Sequence, residues 1–251
     1  MEITLSIQYL EETYRFIRHN PMGSVGTRRC HRVKSEVAAG MFDSGATDRL
    51  CYANDSIPVR KKEHSMPVSY KVAVLVGSLR QNSFSRMLAH ALSELAPPAL
   101  SLKIVEIGAL PFYNDDLEAD APDTWREVRE CMATADAVLF VTPEYNRSVP
   151  AVLKNAVDVL SRPFGASVLS GKPTAIVSLS PGAMGGFGAN HHLRQSLVCL
   201  GVNVMASPEV YIGNVATLFD DGGVLTHAGT TEFLKRFATT FASWIERLSA
   251  R

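Results

Sequence analysis

Val72-Ala73-Val74-Leu75-Val76-Gly77-Ser78-Leu79-Arg80-Gln81-Asn82-Ser83-Phe84-Ser85 is the stretch that decides the fold. Its first five residues are all apolar, as in a strand buried on both faces of a parallel sheet. Gly77 ends the run, and a helix is expected from about Ser83 to Leu95, stopped by Pro97-Pro98. Strand, turn and helix in that order aim the free N–H groups of the helix's first turn at one spot, with a dipole that favours an anion. Ser78, Ser83 and Ser85 add hydroxyl donors there, and Arg80 adds a guanidinium fork suited to phosphate oxygens. One serine alone would read as an ordinary N-cap, a role Ser83 suits. Three serines and an arginine at one strand end point to a phosphate site. With neither G-x-G-x-x-G nor a Walker A loop at this turn, a compact monophosphate fits better than a pyrophosphate.

Strand and helix patterns alternate from there onward. Leu102 to Ile107 reads as a second strand, Ala137 to Val141 as a buried third, Thr174 to Leu179 as a fourth and Val202 to Met205 as a short fifth. Helices are expected over Trp125 to Thr134, Ala151 to Leu160, Gly186 to Leu200 and Thr231 to Leu248. In the last of these, Phe233, Phe237, Phe241 and Trp244 recur at helical spacing and read as core packing. Five strands alternating with helices predict an α/β fold, a right-handed three-layer sandwich around a five-stranded parallel sheet. In the flavodoxin-like order 2-1-3-4-5, the ends of strands 1, 3 and 4 lie side by side, and ligands bind such sheets at that point.

Those other two ends are also unusual. Thr142-Pro143-Glu144-Tyr145-Asn146-Arg147-Ser148-Val149-Pro150 is stiffened by two prolines and holds an aromatic beside amide and carboxylate groups. It could lay backbone N–H groups along a flat ring, and composition alone supports a structural turn equally well. Ser178-Leu179-Ser180-Pro181-Gly182-Ala183-Met184-Gly185-Gly186-Phe187-Gly188 has four glycines in eleven residues, which permit close backbone approach to a ligand. A flat ring carrying one phosphate makes flavin mononucleotide (FMN) the obvious candidate.

The 251 residues are 46% hydrophobic and 20% charged, with zero formal net charge, so no basic field points to nucleic acid or an anionic membrane. No apolar run is long enough to span a bilayer. Cys30, Cys51, Cys131 and Cys199 form no C-x-x-C pair or metal spacing and read as unpaired thiols, so a cytoplasmic protein is expected. Residues 1–65 lack sustained periodicity apart from a short helical pattern around Leu5 to Ile17; they are expected to be a largely disordered extension. Met66 then reads as the natural start of a compact domain covering residues 66–251. Eight Asp and Glu in the leading segment argue against a transit peptide.

Together these segments resemble the NADPH-dependent FMN reductase family, which includes bacterial quinone, chromate and azo reductases. The family's phosphate loop corresponds to Gly77-Ser78-Leu79-Arg80-Gln81-Asn82-Ser83-Phe84, and its flavin loop to Pro143-Glu144-Tyr145-Asn146. The following helix start matches Ser148-Val149-Pro150 through Leu153-Lys154-Asn155-Ala156 and Asp158. The loop after the second strand matches Leu110-Pro111-Phe112-Tyr113-Asn114-Asp115-Asp116, and Gly171-Lys172-Pro173 and Gly185-Gly186 follow in order. The resemblance implies that Ser78, Arg80, Ser83, Phe84 and Ser85 hold the FMN phosphate. It implies that Pro143, Glu144, Tyr145 and Asn146 flank the ring and ribityl chain, while Ser180, Gly182 and Gly185 approach from the other side. Ser85, Arg147 and Val159 depart from the Asn, Tyr and Trp common in relatives, which leaves the acceptor open.

The implied activity carries hydride from NADPH or NADH through FMN to a quinone, azo compound, chromate or free flavin, without an obligatory side-chain base. The resemblance also implies a homodimer or homotetramer. A flavodoxin-type electron carrier is the alternative. Such carriers tend to be strongly acidic, whereas residues 67–251 hold 15 Lys and Arg against 17 Asp and Glu. His191-His192 is a poor metal pair, because adjacent helical residues diverge by about 100°. Asp115-Asp116 reads as a solvated loop. A receiver-like signalling domain is rejected, since it needs acids where Ser78 and Arg80 stand.

Overall fold

The computed structural model describes residues 69–249; the expectations for residues 1–65 and for a start at Met66 lie outside them. Six strands run β1 (Tyr70–Val76), β2 (Leu100–Val105), β3 (Ala137–Pro143), β4 (Pro173–Leu179), β5 (Asn203–Val204) and β6 (Val210–Ile212). Five α-helices alternate with them: α1 (Phe84–Leu95), α2 (Asp123–Ala133), α3 (Ala151–Leu160), α4 (Phe187–Cys199) and α5 (Ala228–Ser249). The strands pair in parallel in the order β2-β1-β3-β4-β5, the flavodoxin-like order read from the sequence.

Two-residue periodicity divides the core between the sheet's faces. Val72, Val74 and Val76 of β1 pack with Leu88 and Leu92 of α1 and with Phe237 and Phe241 of α5. Ala73 and Leu75 point the other way, toward Trp125 and Met132 of α2, Leu153 of α3 and Leu193 of α4. The aromatic stripe of the last helix is therefore core, as its spacing suggested. Trp244 at the margin donates its indole N–H to Asn203 O at 3.1 Å.

The sheet departs from the expected five strands in one respect. β5 pairs only with the beginning of β4, at Pro173 and Thr174, and β6 takes up the same edge at Val177, Ser178 and Leu179. The fifth strand is thus split. Pro208, between the halves, has no N–H to give a ladder, and the sequence around it reads as a loop. The consequence matters for the site, because β6 brings a fourth strand end beside those of β1, β3 and β4.

Candidate functional site

The first wall of the site is the turn from β1 into α1. Ser83 takes the extended N-cap conformation (φ −82°, ψ 124°), yet its hydroxyl caps no helical N–H. The N–H groups of Phe84, Ser85 and Arg86 therefore keep no acceptor among the described residues, as the start of a helix dictates when its cap is not used. Ser78, Ser83 and Ser85 are only 4%, 3% and 2% exposed. Ser78 Oγ accepts the Arg80 N–H at 3.4 Å. The Ser83 and Ser85 hydroxyls have no partner among the described residues and open onto a cleft of about 150 Å³. Arg80 borders the same cleft, exposed and in no ion pair among the described residues. These hydroxyls and first-turn amides are free to donate into the cleft, and the guanidinium beside them adds positive charge. That donor set suits a phosphate.

The second wall follows β3. Pro143, Glu144 and Tyr145 line the cleft. Tyr145 and Ser148 then close a two-residue turn by exchanging backbone hydrogen bonds of 3.1 and 2.9 Å. Asn146 and Arg147 occupy its centre with φ of 51° and 65°, the left-handed pair that such a hairpin turn demands. Asn146 thus stands exposed at a turn tip, outside the cleft lining. Glu144 turns its carboxylate away into the start of α4. Oε2 accepts the Ala189 N–H at 3.2 Å, and Oε1 pairs with Arg147 at 3.0 Å. The acid sits where the helix dipole favours it. Gly188 makes room, since a Cβ there would lie 2.9 Å from Glu144 Oε2.

The third wall follows β4. Leu179, Ser180 and Pro181 face the cleft, and Ser180 Oγ donates to Gly182 O at 2.9 Å. The glycines of this loop have a different reason from the one read in the sequence. Gly185 (φ +59°) would put a Cβ 2.5 Å from the Tyr211 carbonyl carbon, and Gly186 (φ +76°) would put one 3.1 Å from the Leu179 backbone. Their close approaches are internal, to β6 and β4. Gly182 and Gly185 are accordingly not among the cleft-lining residues.

A fourth wall was not anticipated. Behind β6, Val215 reaches the cleft, held by its N–H to Ser180 O at 3.2 Å while Asn214 N donates to Gly182 O at 3.1 Å. Phe219 stacks on Phe84, ring centroids 6.2 Å apart. The signal available was Val210-Tyr211-Ile212-Gly213, a short apolar run ending in glycine like the one at Gly77.

The histidine pair is split between two supports. His191 Nε2 lies 3.0 Å from the Tyr211 hydroxyl, and His192 Nδ1 lies 3.0 Å from Ser148 Oγ. Burial first, and then Glu209, push the Tyr211 phenol up to about 12, so it remains a neutral hydroxyl at working pH. Of the acidic pair, Asp115 accepts the Tyr113 hydroxyl at 2.9 Å on an exposed turn away from the cleft.

Four strand ends meet at a cleft whose donors suit a phosphate, at the place where flavodoxin-type sheets bind ligands. The family model for NADPH-dependent FMN reductases matches residues 70–217. A quinone reductase of Pseudomonas putida is 61% identical over 178 residues, covering 70% of this chain and 95% of the relative. A 2-hydroxy-1,4-benzoquinone reductase of a Burkholderia species is 45% identical over 178 residues, covering 71% of this chain and 97% of the relative. Among solved structures, FerB, a flavoenzyme NAD(P)H:(acceptor) oxidoreductase from Paracoccus denitrificans, superposes with a TM-score of 0.67 at 42% identity, covering 71% of this chain and 98% of that one. The chain belongs to the NADPH-dependent FMN reductase family.

Proposed function

We propose that this enzyme holds FMN in the cleft and passes reducing equivalents from NADPH or NADH to a quinone. The observation that carries the reading is the cradle of first-turn N–H groups and partnerless Ser83 and Ser85 hydroxyls beside Arg80. Bound there, FMN would supply the hydride-transfer chemistry between the nicotinamide and the acceptor. The chain's own residues bind and orient. Ser78, Ser83, Ser85 and the start of α1 grip the phosphate, and Arg80 offsets its charge. Pro143, Glu144 and Tyr145 form one side of the ring pocket, with Asn146 setting the turn beside them. Ser180 and Pro181, on a loop that Gly182 and Gly185 allow to fold, form the other together with Val215 behind β6.

The names of the similar proteins support a quinone as acceptor in preference to chromate, azo compounds or free flavin. We also read the chain as a homodimer or a homotetramer. Leu79, Tyr145 and Met184, on the three loops that border the cleft, and Phe187 at the start of α4 are all exposed, and apolar side chains so placed favour a subunit interface. No helix among the described residues is long and apolar enough to cross a membrane; a cytoplasmic location is our reading.

Purified protein should oxidise NADPH steadily with menadione as acceptor and no partner reductase. Flavin reduction that stalls until a partner protein is added would instead favour the electron carrier. Arg80→Ala is expected to weaken FMN binding about tenfold, since an exposed guanidinium contributes less than a buried one. Fluorescence titration of the flavin-free protein checks it, and unchanged affinity would remove Arg80 from the site.

A further inference from the structure

Arg147 occupies a backbone position that favours another residue. It is the second central residue of the Tyr145–Ser148 turn, with φ of +65°, where glycine is the least strained choice. Strain of this kind concentrates where a side chain has work to do. The guanidinium reaches from the loop after β3 to the loop after β4, with Nη1 3.0 Å from Glu144 Oε1 and 3.4 Å from Met184 Sδ. Nε and Nη2 have no partner among the described residues, which leaves three N–H donors of the fork, and the side chain is 72% exposed. Glu144 occupies only Nη1, its other oxygen accepting the Ala189 N–H, so the outer edge of the fork stays open. A guanidinium with spare donors therefore bridges the loops after β3 and β4 at the rim of the cleft, beside Tyr145 and outside the residues that line it.

We propose that Arg147 sets acceptor specificity, favouring quinones that carry an ionised oxygen beside a carbonyl, whose two oxygens a guanidinium fork can pair together. This rests on the reading of the site as a quinone reductase. The probes are 2-hydroxy-1,4-naphthoquinone, anionic at neutral pH, and 1,4-naphthoquinone, which is neutral. The quantity read is the ratio of their kcat/KM values in the native enzyme, Arg147→Gly and Arg147→Lys. Glycine suits the turn, so the fold is not at risk, and comparing ratios between variants cancels the difference in the quinones' reduction potentials.

Arg147→Gly should lower the anion-to-neutral ratio about tenfold, through KM for the anion. Arg147→Lys should retain part of the preference, and raised salt should erode it in the native enzyme. A ratio that stays constant in Arg147→Gly overturns the proposal. So does a loss confined to NADPH against NADH, which would assign the charge to the co-substrate, or a changed oligomeric state, which would assign it to an interface. Failure of the native enzyme to reduce either quinone would instead overturn the functional reading on which the proposal stands.

Discussion

Replacing Ser83 with aspartate is expected to raise the melting temperature of the FMN-free protein slightly while lowering its FMN affinity by roughly a thousandfold. Ser83 is the N-cap of α1, and its hydroxyl caps nothing within the protein. An aspartate there would meet the first-turn N–H groups and the positive end of the helix dipole, gaining about 0.3–1 kcal/mol. The same carboxylate would then stand where we propose that the FMN phosphate is bound. Two like charges about 4 Å apart repel by roughly 4 kcal/mol at the effective dielectric of a protein surface, or about three decades in affinity. Opposite signs for stability and binding distinguish this from simple damage to the fold. A thermal melt together with an FMN titration reads both, and native-like affinity in Ser83→Asp would place the phosphate elsewhere.

Gly185→Ala is expected to destabilise the protein by about 2–5 kcal/mol and to take flavin binding with it. The left-handed backbone costs an L residue about 1–2 kcal/mol. The added methyl meets the Tyr211 carbonyl carbon at 2.5 Å and the Ile212 nitrogen at 2.7 Å, backbone atoms that cannot turn aside. Overpacking of that sort adds about 1–3 kcal/mol. The β4 loop would have to leave β6, and Ser180, Pro181 and Val215 would move with it. Denaturant melts should show a lowered midpoint, whereas Gly165→Ala, at a left-handed glycine with open space around it, should cost only the backbone term. Equal losses at both positions would show that contact with β6 does not govern the loop.

The sequence was most informative where one strand end carried several signals at once. Val72 to Gly77 announced a buried strand, which the structure shows, and the serines and arginine after it, read as an anion site, come together on one cleft. Helix α3 was read to the residue, because Pro150 starts it and its apolar spacing is regular. β6 was missed, since three residues behind Pro208 carry too little periodicity to register. Val215 and Phe219, which depend on β6, were missed along with it.

Side-chain direction was harder still. Nothing in Pro143-Glu144-Tyr145 says that the carboxylate turns toward a helix start forty-odd residues later. The glycines of the β4 loop looked like space left for a ligand, and they prove to be space left for a strand the pattern had hidden. Asn155 is a similar case. It accepts from Tyr113 N at 2.8 Å and donates to the Leu110 and Pro111 carbonyls, fastening the loop after β2 to α3, and only the fold brings those residues together.

Titrating the flavin-free enzyme with FMN and with riboflavin tests the phosphate cradle most directly, because the two ligands differ only in the group it is built to hold. Three or more charge-assisted hydrogen bonds lost with the phosphate predict that riboflavin binds at least a hundredfold more weakly. Equal affinities would mean that the start of α1, Ser83, Ser85 and Arg80 do not hold the cofactor.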